Sequence, residues 1–141
     1  MSNPRHRARE VALQILYRYD VNSVAEPTPE GALLASDLSR HFDHFQVPEN
    51  LRGFAAELVA GTLLEKADLD GLIEAQAKNW KVARMGSVER SLLRMAIYEM
   101  RHYSDIPRSV TIDEAVELAK QFGNAETPAF INGILDAVPL T

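Results

Sequence analysis

Cysteine is absent from the 141-residue chain. That absence excludes disulfides, thiolate zinc sites and cysteine nucleophiles, and it fits a reducing cytosol. No run of ~18 apolar residues occurs, so no segment is expected to span a membrane. The basic N-terminus also lacks the unbroken apolar stretch of a signal peptide. Glu10, Gln14 and Arg18 interrupt it at helical spacing. A cytoplasmic location is expected. Gly-rich phosphate loops, Walker patterns and GxSxG elbows are missing, and no nucleophile, base and acid stand together. The chain therefore reads as a non-enzyme that needs no cofactor. Strand-type alternation of useful length is missing as well.

What remains is a chain with 46% hydrophobic residues, enough to bury a core without staples. An apolar period near 3.6 runs through almost all of it, so the expected fold is all-α, one domain over residues 1–141 with seven helices. Helix one covers residues 4–19. Pro4 suits its first position, Asn3 can cap it, and Ala8, Val11, Ala12, Ile15 and Tyr19 form its core stripe. A loop over 21–28 with two prolines nearby precedes helix two, residues 29–45, capped by Thr28. Helix three spans 48–66, and Asp68 can cap a fourth that ends at Trp80. Ser87 can cap a fifth, reaching residue 103. Its apolar stripe of Val88, Leu92, Leu93, Met95, Ala96, Ile97 and Met100 is broad, so this helix is expected to be central. Thr111 and Glu114 fit a capping box for helix six, which ends at Phe122 with Gly123 suited to a left-handed C-cap. Helix seven opens at Thr127-Pro128 and ends near Val138.

The charge is unevenly divided. The net value is −5. The first nine residues contribute +3, leaving −8 for residues 10–141. Arg5, His6, Arg7 and Arg9 form a short basic arm on an acidic body, a pattern suited to one local contact with phosphates. Arginine binds phosphate through its planar fork, and a helix N-terminus adds amide donors. Arginines at every second position are expected to fan around the helix and to project or sit at a rim. The alternative is a solvated helix end. Tyr17, on the polar face with His6, Glu10 and Gln14, offers a stacking surface for an unpaired base, or else packs on a neighbouring helix with its hydroxyl wet.

Other motifs read as structural. His41-Phe42-Asp43-His44 has too few ligands for zinc and is expected to be a solvated face. Glu89, Arg90, Arg94 and Glu99 read as helix electrostatics, with Glu89 favourable near an N-terminus. Asn132-Gly133 reads as a device for close helix packing, because glycine inside a helix costs roughly 1 kcal/mol against alanine.

Several blocks resemble the NusB family of bacterial antitermination factors. They are Arg7-Ala8-Arg9-Glu10 with Ala12-Leu13-Gln14-Ile15-Leu16-Tyr17, then Val88-Glu89-Arg90 through Leu93-Arg94-Met95-Ala96-Ile97-Tyr98-Glu99. Asp105-Ile106-Pro107, Ile112-Asp113-Glu114-Ala115-Val116-Glu117-Leu118-Ala119-Lys120 with Phe122-Gly123, and Phe130-Ile131-Asn132-Gly133-Ile134-Leu135-Asp136 follow in order. Residues 21–47 carry little of the resemblance.

The resemblance implies two packed helical bundles without enzymatic activity. It implies binding of boxA-type single-stranded RNA of ribosomal RNA operons together with NusE, a small-subunit ribosomal protein, within the transcription elongation complex. It assigns RNA contacts to Arg5, His6, Arg7, Arg9, Tyr17, Glu126 and Phe130, and a partner-facing place to Glu89. His6 and Ala129 stand where relatives often carry arginine and lysine, which predicts weaker RNA contact or greater dependence on the partner. Two other readings share the fold. A homodimer would mask the arm, and a cytosine methyltransferase with a NusB-like first domain would need a cofactor domain for which these 141 residues have neither room nor a GxGxxG.

Overall fold

The structure, a computed structural model, describes residues 4–23 and 28–140. Asn3, expected to cap the first helix, and residues 24–27 of the expected loop lie outside the described residues. Seven α-helices and one 3-10 turn are present among those described, with no strand. They are α1 (Pro4–Val21), α2 (Gly31–His44), α3 (Glu49–Leu64), α4 (Lys66–Ala77), the 3-10 turn Val82–Arg84, α5 (Ser87–His102), α6 (Arg108–Phe122) and α7 (Thr127–Ala137). The chain divides into two compact units, Met1–Gly61 and Thr62–Thr141, with the boundary in the last turn of α3.

In the first unit, α1 buries Ala8, Val11, Ala12, Leu13, Ile15, Leu16 and Tyr19. Leu38 and Phe42 of α2 and Ala55, Leu58 and Val59 of α3 are buried too. The histidine segment departs from expectation. His41 and Phe42 are buried, and only Asp43 and His44 face solvent. The reason is a polar cluster around Asp37. Its carboxylate accepts from the Tyr19 hydroxyl, from Arg40 Nη2 at 2.7 Å and from His41 Nε2 at 3.3 Å. The Tyr19 ring meets the His41 ring edge-on at 6.1 Å. A ring satisfied at one nitrogen can be buried at modest cost.

In the second unit, α5 is central, as its stripe predicts. It packs against α4, α6 and α7. Leu92, Leu93 and Ile97 are fully buried, and truncating any one to alanine is expected to cost about 2–5 kcal/mol. Arg94 and Glu99 are also buried, so they do not decorate the surface. Arg94 reaches Asp70 of α4, and Glu99 Oε2 accepts from Thr111 Oγ1 of α6 at 2.5 Å. That contact revises the capping box. Pro107, not Thr111, is the N-cap of α6, and the Thr111 hydroxyl is turned inward to a buried carboxylate.

Other expected caps shift for local reasons. Glu30 precedes α2 in place of Thr28, with Gly31 at φ +57 supplying the turn. Glu65 precedes α4 in place of Asp68, and α4 stops at Ala77 because Lys78 adopts φ +33. Gly86 precedes α5, with Ser87 its first residue. Gly123 is extended, not left-handed. Glycine is required there by space, since a Cβ would lie 2.6 Å from the Thr127 side chain. Asn132 and Gly133 are exposed and Gly133 meets no neighbour, so the pair is not a packing device. Arg108 closes the unit by donating from Nη2 to Leu135 O (2.5 Å) and Val138 O (2.7 Å), carbonyls that the end of α7 leaves unmatched.

Candidate nucleic-acid interface

The sequence-predicted residues fall into two groups, one in each unit. Arg5, His6, Arg7, Arg9 and Tyr17 all lie on α1 of the first unit. Arg5 and Arg9 are four residues apart and share a face. Their guanidinium carbons sit 5.0 and 5.4 Å from the centroid of the Phe54 ring, within cation–π range. Arg9 is 2% exposed. The expectation that the arginines project or sit at a rim is corrected for Arg9, which is packed into the unit, while Arg5 is half-buried above the same ring. Phe54 is on α3, forty-odd residues away in sequence, so no local spacing could reveal it.

Arg7 points elsewhere. It pairs with Glu10 and donates from Nη2 to Phe45 O at 3.2 Å, yet its side chain stays 40% exposed. His6 is half-buried. Tyr17 is 43% exposed, so part of its ring is open to solvent. It stands ten residues beyond Arg7, roughly 15 Å along the helix. Chemically α1 carries cations around its first turns and a part-exposed aromatic ring further along. Such a helix can neutralise phosphates and stack a base at separate points.

In the second unit, Glu89, Glu126 and Phe130 line one open cleft of about 170 Å³ together with Trp80, Arg84 and Asn124. Local hydrogen bonds build it. Asn124 Oδ1 accepts from the backbone N–H of Glu126 at 2.9 Å and of Thr127 at 3.2 Å, which caps α7 from outside. Asn124 N–H donates in return to Thr127 Oγ1 at 3.0 Å. The single hydroxyl proton of Thr127 serves either Asn124 Oδ1 at 3.1 Å or Glu89 Oε1 at 3.4 Å. Arg90 fixes the opposite wall. Its Nη1 donates to Met85 O at 2.6 Å and its Nη2 to Ser87 Oγ at 3.2 Å. Trp80 and Asn124 were not expected as site residues. The signal was the chain's only tryptophan, standing just before a turn.

Among the described residues, no group of three or more His, Asp or Glu side chains could hold a metal ion. No described helix is long and apolar enough to cross a membrane.

Known proteins share both sequence and fold. A model described as the NusB family matches residues 6–139. The "Transcription antitermination protein NusB" of Desulfitobacterium hafniense is 45% identical over 134 residues, spanning 95% of this chain and 86% of the relative. A solved structure of T. maritima NusB superposes with a TM-score of 0.82 at 32% identity, covering 96% of this chain and 90% of that one. A solved complex of antitermination factors NusB and NusE with dsRNA matches with a TM-score of 0.80, covering 97% and 96% of the two chains; at 24% identity that likeness is one of fold. On the family match and the relatives together, the chain belongs to the NusB family.

Proposed function

We propose that this protein is an RNA-binding transcription antitermination factor that acts with a NusE partner on boxA-type single-stranded RNA in the transcription elongation complex. It works in the cytoplasm, by binding and without catalysis. The observation that carries the reading is the α1 strip, where Arg5, His6, Arg7 and Tyr17 offer cations and an open aromatic ring within a chain that is otherwise acidic. Arg9 supports that strip from below through Phe54. Relatives that share the family carry the name transcription antitermination protein, and a fold neighbour is solved with NusE and dsRNA. Glu89, Glu126 and Phe130 serve as a second contact zone, Glu89 toward the partner and the other two toward RNA.

The division of labour is physical. Arginines supply salt-sensitive, sequence-blind attraction, and aromatic faces and base edges supply selection. A partner that buries the same RNA turns a weak site into a strong one. Salt-titrated binding of a boxA RNA against a scrambled RNA, with and without NusE, tests this. Sequence-dependent binding that tightens with NusE is expected. Equal weak binding to both RNAs, unmoved by NusE, overturns it.

A further inference from the structure

Trp80 is the only tryptophan in the chain, and it is 54% exposed. An indole left half in water on a protein with an ample core is unusual, since aromatics of this size contribute most when buried. The segment that carries it is anchored on both sides. Trp80 N–H donates to Ala77 O at 2.9 Å, and the turn that follows is tied to α5 through Arg90. The ring is thus presented on a fixed support, and it lines the same cleft as Phe130, Glu89, Glu126, Asn124 and Arg84.

We propose that Trp80 is a stacking platform for one unpaired RNA base in this cleft, and that Glu126 makes the cleft prefer an amino-bearing base over uracil. The inference rests on the RNA-binding reading above and adds a residue and a base preference to it. The cleft, about 170 Å³, is smaller than the ~300 Å³ at which drug-sized ligand pockets begin, which suits a single ring system. Two carboxylates repel a phosphate, so the backbone stays outside, where exposed Arg84 is the one cation of the lining. The Glu126 carboxylate accepts hydrogen bonds from an exocyclic amine, as acidic side chains do from the cytosine N4 amine. The Asn124 oxygen is committed to the α7 cap, which leaves its amide nitrogen as the donor for a ring nitrogen or carbonyl.

An end-labelled short single-stranded RNA titrated into the full chain gives two independent readouts. Anisotropy of the label reports binding, and emission of the single tryptophan reports stacking. Emission is expected to quench in parallel with the anisotropy, and oligo(C) to bind several-fold more tightly than oligo(U), whose ring is the same size. Trp80→Ala is expected to weaken binding about tenfold, within the range for loss of one base stack, and Trp80→Phe to retain most of it. Circular dichroism melts establish that both variants fold. Glu126→Gln is expected to narrow the preference for cytosine over uracil. Binding with unchanged Trp80 emission and unchanged affinity in Trp80→Ala overturns the stacking assignment and leaves the RNA-binding reading standing. No binding to any RNA overturns both. Quenching by an oligoarginine peptide at concentrations below those needed with RNA overturns it in favour of a basic protein partner.

Discussion

Arg94 grips Asp70 side-on, with Nε 2.6 Å from Oδ1 and Nη2 3.0 Å from Oδ2. The arginine is buried and the aspartate only partly so, so the pair ties α5 to α4 at the edge of the core. Removing the aspartate takes this carboxylate from a cation with little access to water. Asp70→Ala is expected to lower unfolding free energy by about 2–3 kcal/mol, less than a fully buried pair would lose. Urea denaturation measures it. A second change, Arg94→Met, is expected to restore part of the loss, and a double variant less stable than Asp70→Ala would contradict the view that the loss comes from the buried charge.

Arg7 and Arg9 stand two residues apart and are expected to fail differently. Arg7→Ala removes an exposed cation, so RNA affinity falls and the slope of log K against log salt flattens by about one unit, with stability within about 0.5 kcal/mol. Arg9→Ala empties a buried place beside Phe54. Its main effect is a loss of about 1–3 kcal/mol in stability. RNA titrations and melts on both variants decide; matching phenotypes would refute the separation.

The Asp37 cluster predicts a pH profile. Burial holds the His41 imidazole below its ordinary 6.5, against the pull of Asp37. The unfolded chain therefore takes the proton first, and His41's contribution to stability, complete above pH 6.5, is lost as pH falls below it. Burial raises the Asp37 carboxyl, but Tyr19, His41 and Arg40 outweigh it and hold it below 3.8, so its contribution fades further down. Burial, with the bond to Asp37, raises the Tyr19 phenol above 10.0, and stability drops again at higher pH. Urea midpoints at pH 8 and pH 5 are expected to differ, and His41→Gln to shrink the difference. An unaltered difference in that variant would place the effect elsewhere.

Lys78 has φ +33 and ψ −62, a backbone shape that side chains disfavour. Lys78→Gly is expected to raise stability by up to about 1 kcal/mol, the relieved strain exceeding the added freedom of the unfolded chain. A lower melting temperature in that variant would mean that the lysine side chain supports the end of α4.

Features carried by local pattern were legible. The broad stripe of α5 predicted its central place, and Pro4 marked the start of α1. Features set by distant partners were not. Thr111 with Glu114 looks like a capping box, but its hydroxyl belongs to Glu99 on another helix. Arg9 looks like a surface charge until Phe54 comes beneath it. His41 looks solvated because Tyr19, whose ring meets it, lies on another helix. The same split runs through the candidate site. Resemblance pointed to Glu89, Glu126 and Phe130, which line one cleft, whereas Trp80 enters that cleft only through the turn after α4.

The Phe54 ring beneath Arg5 and Arg9 bears on the entropy of association. A free arginine samples many rotamers, and immobilising such a side chain on a ligand costs about 0.5–1.5 kcal/mol. Arg5, seated over an aromatic face, has given up much of that freedom during folding. On the proposed function it would meet a phosphate with its direction already chosen, so more of the electrostatic attraction would survive as affinity, and a short arm with few cations would do what a longer, looser one would need more charge to achieve.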